Sequence, residues 1–260
     1  MSSQVSSRSM ESTEVRQPKR HDPDQDLFDL SIKFAEQMVR ISGQSLSRCL
    51  LDYTPLYRRL GFGVDWNENS PQWQDFVRAL EHADAPADTA LLFYKKSREI
   101  GEENQETRIG CFSCTYEEKE QTIHLHFANT DKSGKSPLSE ERLPVRREEL
   151  KRLFTEIQRL HPEAAKVRGS SWMQNLQSYR RLYPLQYRAS AQTSRGGFNG
   201  MGVWGQFIDK DRTFRQEMAQ TFLDKVSAAR NKEEAEEAFP YKRKNVECAI
   251  EYFYRYYGIT

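Results

Sequence analysis

The stretch "QTIHLHFAN" at 121–129 alternates strictly, so an extended chain would put Ile123, Leu125 and Phe127 on one side and His124 and His126 on the other. On both sides of it the apolar residues recur at helical spacing. The chain therefore has to join a strand region to helices, which excludes all-α and all-β solutions. "TALLFYKK" (89–96) and "TRIGCFSCTYE" (107–117) are expected to be strands as well, and the polar "EKE" between 117 and 121 is short enough to fold the last two into a hairpin.

Helices are predicted around these strands. Phe28, Ile32, Ala35 and Val39 share a face, with Asp26 placed to cap it. A second helix near 45–60 is interrupted by Pro55, and a third begins at Ser70-Pro71 and aligns Trp73, Phe76, Val77 and Leu80. "RREELKRLFTEIQRL" carries Leu150, Leu153, Phe154, Ile157 and Leu160 on one side and ends at His161-Pro162. "AAKVRG" returns as a strand. Ser170 or Ser171 then caps a helix presenting Trp172, Leu176, Tyr179 and Tyr183, closed by Pro184. Beyond it come a glycine-rich loop at 196–205 running into a strand at 202–208, a helix aligning Phe214, Met218, Phe222 and Val226, and a last helix over 243–257 stopped by Gly258. The expected fold is α+β: a central, mostly antiparallel sheet flanked by helices, with helical N- and C-terminal segments.

Residues 1–25 are Ser-rich and charged and offer little apolar surface to offset the entropy of ordering, so they are expected to be a tail, with 26–260 a single domain. With 260 residues, 37% of them hydrophobic, the chain can bury a real core. Thirty-nine basic against 38 acidic residues leave a net charge of +1, which argues against nucleic acid and anionic membrane as partners. Four scattered cysteines do not make a disulfide scaffold, and the N-terminus lacks the apolar run of a signal peptide. A cytoplasmic location is expected.

Four places could carry chemistry. Cys111 and Cys114 lack a second cysteine pair to complete a metal site, and on a strand they would point to opposite faces. His124 and His126 share a face and are candidates for a general base, with Cys114 across the hairpin on their side; no third metal ligand is evident, and no metal is expected. Gly200-Met-Gly-Val-Trp-Gly205 spells a dinucleotide motif but follows a loop rather than a strand, so it is taken as a flexible loop. Finally, Arg168, Ser170, Ser171, Arg180, Arg181 and Arg195 cluster around a capped helix start, the residue types of an anion pocket.

The order of helices, three strands, a long helix, a strand and a short Asn-led helix resembles the GNAT N-acyltransferase superfamily over residues 89–187, most closely in "VRGSSWMQNLQSYRRLYP". That resemblance implies acetyl coenzyme A bound where the fourth and fifth strands splay, His124 or His126 as base and Tyr179 or Tyr183 as acid. The family's pyrophosphate signature at the start of the long helix is missing; "LPVRREEL" stands there without a glycine, and Leu182 stands where the usual tyrosine would be. The expected function is an acyltransferase-like small-molecule enzyme using an acyl-coenzyme A. The alternatives are a non-catalytic module binding an anionic metabolite, and an interaction or effector protein.

Overall fold

The computed structural model describes residues 22–100 and 107–260. Five helices come first: α1 (Pro23–Ser42), α2 (Leu46–Tyr53), α3 (Leu56–Arg59), α4 (Pro71–Glu81) and α5 (Pro86–Ile100). The cap of α1 is Asp22, whose side chain accepts from the Asp24 N–H at 3.0 Å, one turn before the expected Asp26. Asp24 is thereby buried and ion-paired with Arg59, so residues 22–25 belong to the helix rather than to a tail. Residues 1–21 lie outside the described residues. Ser45 and Ser70 cap α2 and α4, and Pro55 separates α2 from α3.

The segment 89–96 is not a strand. It lies inside α5, where Ala90, Phe93 and Tyr94 face the other helices while Leu92 is exposed. A short apolar run does not distinguish a buried strand from one side of a helix, and burial of Ala90, Phe93 and Tyr94 in the helical core decides it.

The sheet follows: β1 (Thr107–Ile109), β2 (Phe112–Glu117) and β3 (Thr122–Phe127), then α6 (Leu143–Leu160), β4 (Lys166–Ser171), α7 (Gln177–Arg180), α8 (Leu185–Ala189) and β5 (Gln192–Thr193). The expected single strand over 107–117 is two. Gly110, with a left-handed φ of 57°, turns the chain, and the Glu149 carboxylate covers it and accepts the Cys111 N–H at 3.1 Å. Helices α9 (Met201–Trp204), α10 (Gln216–Ala228) and α11 (Lys232–Glu237) return to the first five, after which β6 (Lys244–Ala249) and α12 (Glu251–Tyr257) rejoin the sheet.

Two further expectations fail in this last part. Residues 202–208 form α9 and a 3-10 turn because Val203, Trp204 and Phe207 bury together among the helices. Residues 243–257 are not one helix: Val246, Cys248 and Ile250 fit period two as well as a helix, and six pairs with β4 settle the first part as a strand.

The six strands lie in the order β1-β2-β3-β4-β6-β5. All neighbours are antiparallel except β3 and β4, joined by the α6 crossover. One face of the sheet (Ile123, Leu125, Val167, Val246) is covered by Leu153 and Phe154 of α6, Tyr179, Tyr183, Tyr187 and Phe253. A second apolar core joins α1–α5 with α9–α11 around Phe34, Trp73, Trp204, Phe222 and Phe239.

The loop after β3 is tied down by a buried ionic cluster. Asp131 accepts from Arg142 at 2.7 Å and from Arg146 at 3.0 Å, and Arg146 also contacts Cys111 Sγ and Glu149. Burial alone would raise the Asp131 pKa; the bonds from Ser133 and Arg142 outweigh it and hold the group at about 2. A depressed carboxylate contributes stability above its ordinary pKa of 3.8 that is lost as pH falls toward about 2. Urea denaturation across that window should show a decline that is shallower in Asp131→Asn; an equal decline would assign it to other carboxylates.

Gly169 in β4 is fixed by close approach rather than by φ, because the Tyr187 hydroxyl occupies the space of a Cβ. Gly169→Ala should destabilise the chain by about 1–3 kcal/mol, the usual range for overpacking. Tyr187→Phe in the same chain should recover part of that loss in a double-mutant cycle.

Candidate active site

The sheet face away from the aromatic cluster is polar and open. Strand register lines up Thr115, His124, Arg168 and Glu247 as one row across β2, β3, β4 and β6, with Ser170, Asn245 and Gln192 in a second. All of these except Thr115 line a concavity of about 540 Å³, closed at one side by Ser190, whose Oγ accepts the Glu247 N–H at 2.9 Å.

Pairing between β3 and β4 stops at the row His124–Arg168. Both strands run on, to Phe127 and Ser171, without pairing each other, and a notch opens between them into the concavity. The peptide groups along this notch lack the ladder partners that parallel strands give each other.

His124 stands where the notch begins. Its Nε2 lies 2.8 Å from Glu117 Oε2, across the β2–β3 hairpin. With the carboxylate holding a proton on Nε2, Nδ1 is the basic nitrogen, the arrangement in which a carboxylate orients a general-base imidazole. His126 is one step further out, with Nε2 at 3.5 Å from Thr115 Oγ1. Cys114 does not join them: it pairs with Leu125 and is buried on the opposite face. No group of three or more His, Cys, Asp or Glu comes together among the described residues to hold a metal.

The expected site residues separate by face. Tyr179 and Tyr183 are buried with Ile123, Leu125 and Val167, so the sheet lies between them and His124 and His126. Burial pushes the Tyr179 pKa to about 12 and that of Tyr183 well above its ordinary value. The single helix stripe expected from Trp172 to Tyr183 is broken at Leu176, which is extended between a 3-10 turn and α7. Trp172 is half-buried against Tyr241, and Asn175 donates to the carbonyls of Trp172 and Lys242, which stops a regular helix.

The arginines do not converge. Arg168, on the open face, is held by Glu247 at 2.7 Å and Glu120 at 3.1 Å, and the Glu247 bond raises its pKa. Arg181 is paired with Glu140 and donates to the Leu138 carbonyl at 2.9 Å; Arg180 donates to the Arg188 carbonyl at 3.3 Å. Ser171 caps the turn at Met173, Ser170 donates to Asn245 at 2.7 Å, and Arg195 is exposed on the glycine-rich loop. The sequence reading missed Glu117, Glu120, Asn245 and Glu247. The hairpin register alone could have located Glu117 beside His124.

No known protein family, no curated protein and no solved structure matches the chain. No helix among the described residues is long and apolar enough to cross a membrane.

Because Arg181 fastens the 138–140 loop to α7, Arg181→Ala should lower stability by about 1–3 kcal/mol, the cost of removing a charged partner from its acceptors. A melting temperature unchanged from wild type would mean that this bond is not formed in solution.

Proposed function

We propose that the chain transfers an acyl group from a thioester carrier, of the acyl-coenzyme A type, to a small acceptor bound on the open sheet face. The observation that carries this reading is the parting of β3 and β4 directly beyond His124 and Arg168, where an extended amide-containing arm can pair with the strand edges left open. It is the feature that the resemblance to the GNAT superfamily ties to the carrier, and β3 and β4 are the strands it makes the fourth and fifth.

The chemistry follows from His124 and its partner. An acceptor amine attacks the thioester carbonyl and forms the new C–N bond. The C–S bond breaks, sulfur departs as thiolate, and the amine's proton passes to His124 Nδ1 while Glu117 stabilises the imidazolium. Ser170, Asn245 and Gln192 offer hydroxyl and amide groups to orient the acceptor. The acid role implied for Tyr179 and Tyr183 is not part of this proposal, since both lie behind the sheet.

A carrier present at a hundred times its dissociation constant stabilises by ~2.7 kcal/mol, enough to raise the melting temperature by a few degrees. Acetyl-coenzyme A should do so, and thiol release should then be measured against a panel of amines. His124→Gln should lower the turnover number by roughly 10²–10⁴-fold, the usual span for general-base catalysis, with little change in carrier affinity, and Glu117→Gln should lower it less. A carrier that fails to shift melting, or a His124→Gln variant as fast as wild type, would overturn the reading.

A further inference from the structure

Among the described residues that line the concavity, Arg168 and Glu247 are, the histidines apart, the two that carry charge. Their bond is lopsided. Arg168 donates from Nε at 2.8 Å and from Nη2 at 2.7 Å to one oxygen of Glu247, Oε2. Its Nη1 turns the other way, to Glu120 at 3.1 Å. Oε1 of Glu247 therefore takes no bond from this arginine, on a side chain that is 40% exposed and faces the concavity. One arginine between two carboxylates leaves one negative charge in excess. Arg168 is occupied on both sides and makes a poor anchor for an anion, whereas Glu247 has an oxygen left for a cation.

Strand register gives the distance from that oxygen to the base. His124 pairs with Arg168 and Arg168 with Glu247, so the three stand in one row with their side chains on the open face. Two strand spacings put the α-carbons of His124 and Glu247 about 10 Å apart. Each side chain reaches out by a few ångströms, so a nitrogen beside His124 Nδ1 and a second beside Glu247 Oε1 are bridged by a chain of a few methylenes. The Arg168 stem lies between the two and gives such a spacer an apolar surface to pack on.

We propose that the acyl acceptor is a diamine: one nitrogen, uncharged, attacks the thioester beside His124, and the other, as an ammonium, is held by Glu247 Oε1. Glu247 then decides which amines are acylated. The role of the first nitrogen rests on the acyl-transfer reading of the site. The contact of the second is a binding contact, made with or without a carrier present.

The test compares putrescine, butylamine and γ-aminobutyrate, amines of one chain length that end in an ammonium, a methyl and a carboxylate. Each is titrated calorimetrically into the full chain without carrier, then offered as acceptor with acetyl-coenzyme A while thiol release is followed. Putrescine should bind at least about tenfold more tightly than butylamine, and γ-aminobutyrate most weakly. Glu247→Gln should bring putrescine down to the level of butylamine, in affinity and in kcat/KM. Should Glu247→Gln not fold, Glu247→Asp, which keeps the charge but draws it back by a methylene, should move the preference from putrescine toward the longer cadaverine. Glu120→Gln removes the other carboxylate on Arg168 and should keep most of the preference; an equal loss in both variants would assign it to overall charge and overturn the contact with Glu247. Putrescine and butylamine bound and acylated alike overturn the diamine assignment and leave acyl transfer standing. A Glu247-dependent preference for putrescine in titration, with no thiol released by any amine, overturns acyl transfer and leaves the Glu247 contact standing.

Discussion

Strand β4 pairs unequally with its two neighbours. It pairs with β6 through all six of its residues, Lys166–Ser171, but with β3 through only the first three. Gly169 falls just past the point of parting, and it is pinned there by the Tyr187 hydroxyl behind it. The aromatic cluster that buries the sheet's apolar face thus fixes how β4 lies. Where β3 and β4 part, their facing edges carry peptide groups without a ladder partner, and in a folded protein such groups need a partner, water or a ligand. The notch and the row of polar residues beside it lie along that unequally shared strand.

Alternation made the His124 and His126 face legible from the sequence, because period two admits only one assignment of sides once Ile123, Leu125 and Phe127 are taken as core. The hairpin, α4 with its Ser70 cap, α6 and the Gly258 stop were legible for similar local reasons. What was not legible depended on partners far away in sequence. In "KNVECAIEYF", positions 246 and 250 satisfy a helix as well as a strand, and only pairing with a strand some eighty residues earlier chooses between them. Missing β6 hid Asn245 and Glu247 together, and with them one wall of the concavity. The 89–96 run was lost in the opposite direction, its apolar residues being claimed by a helical core that a local window does not see.

The arginine-rich corner shows why counting charges is a poor guide to an anion site. Arg168, Arg180 and Arg181 are abundant in sequence, yet each is already held by Glu120 and Glu247, by the Arg188 carbonyl, or by Glu140 and Leu138. A guanidinium so occupied has to break existing bonds before it can hold a ligand, which removes most of the gain.

The helical core completes the geometry. From α9 onward the chain crosses the ends of the parted strands: Gly202 packs on the Ser170 carbonyl at β4, Gly205 lies against Trp172, and the Lys210 carbonyl accepts a 2.6 Å bond from Asn129, just after β3. One short segment therefore touches both sides of the notch. Its anchors, Trp204 and Phe207, are fully buried against Phe222 and Phe239 in the other core, so it cannot shift without disturbing that packing. Two strands with free edges would gain hydrogen bonds by closing on each other. A strut fixed in a separate core opposes that closure and keeps the notch open at a set width, which is why the chain leaves the sheet after β5, builds α9–α11 among the first helices, and only then returns to add β6.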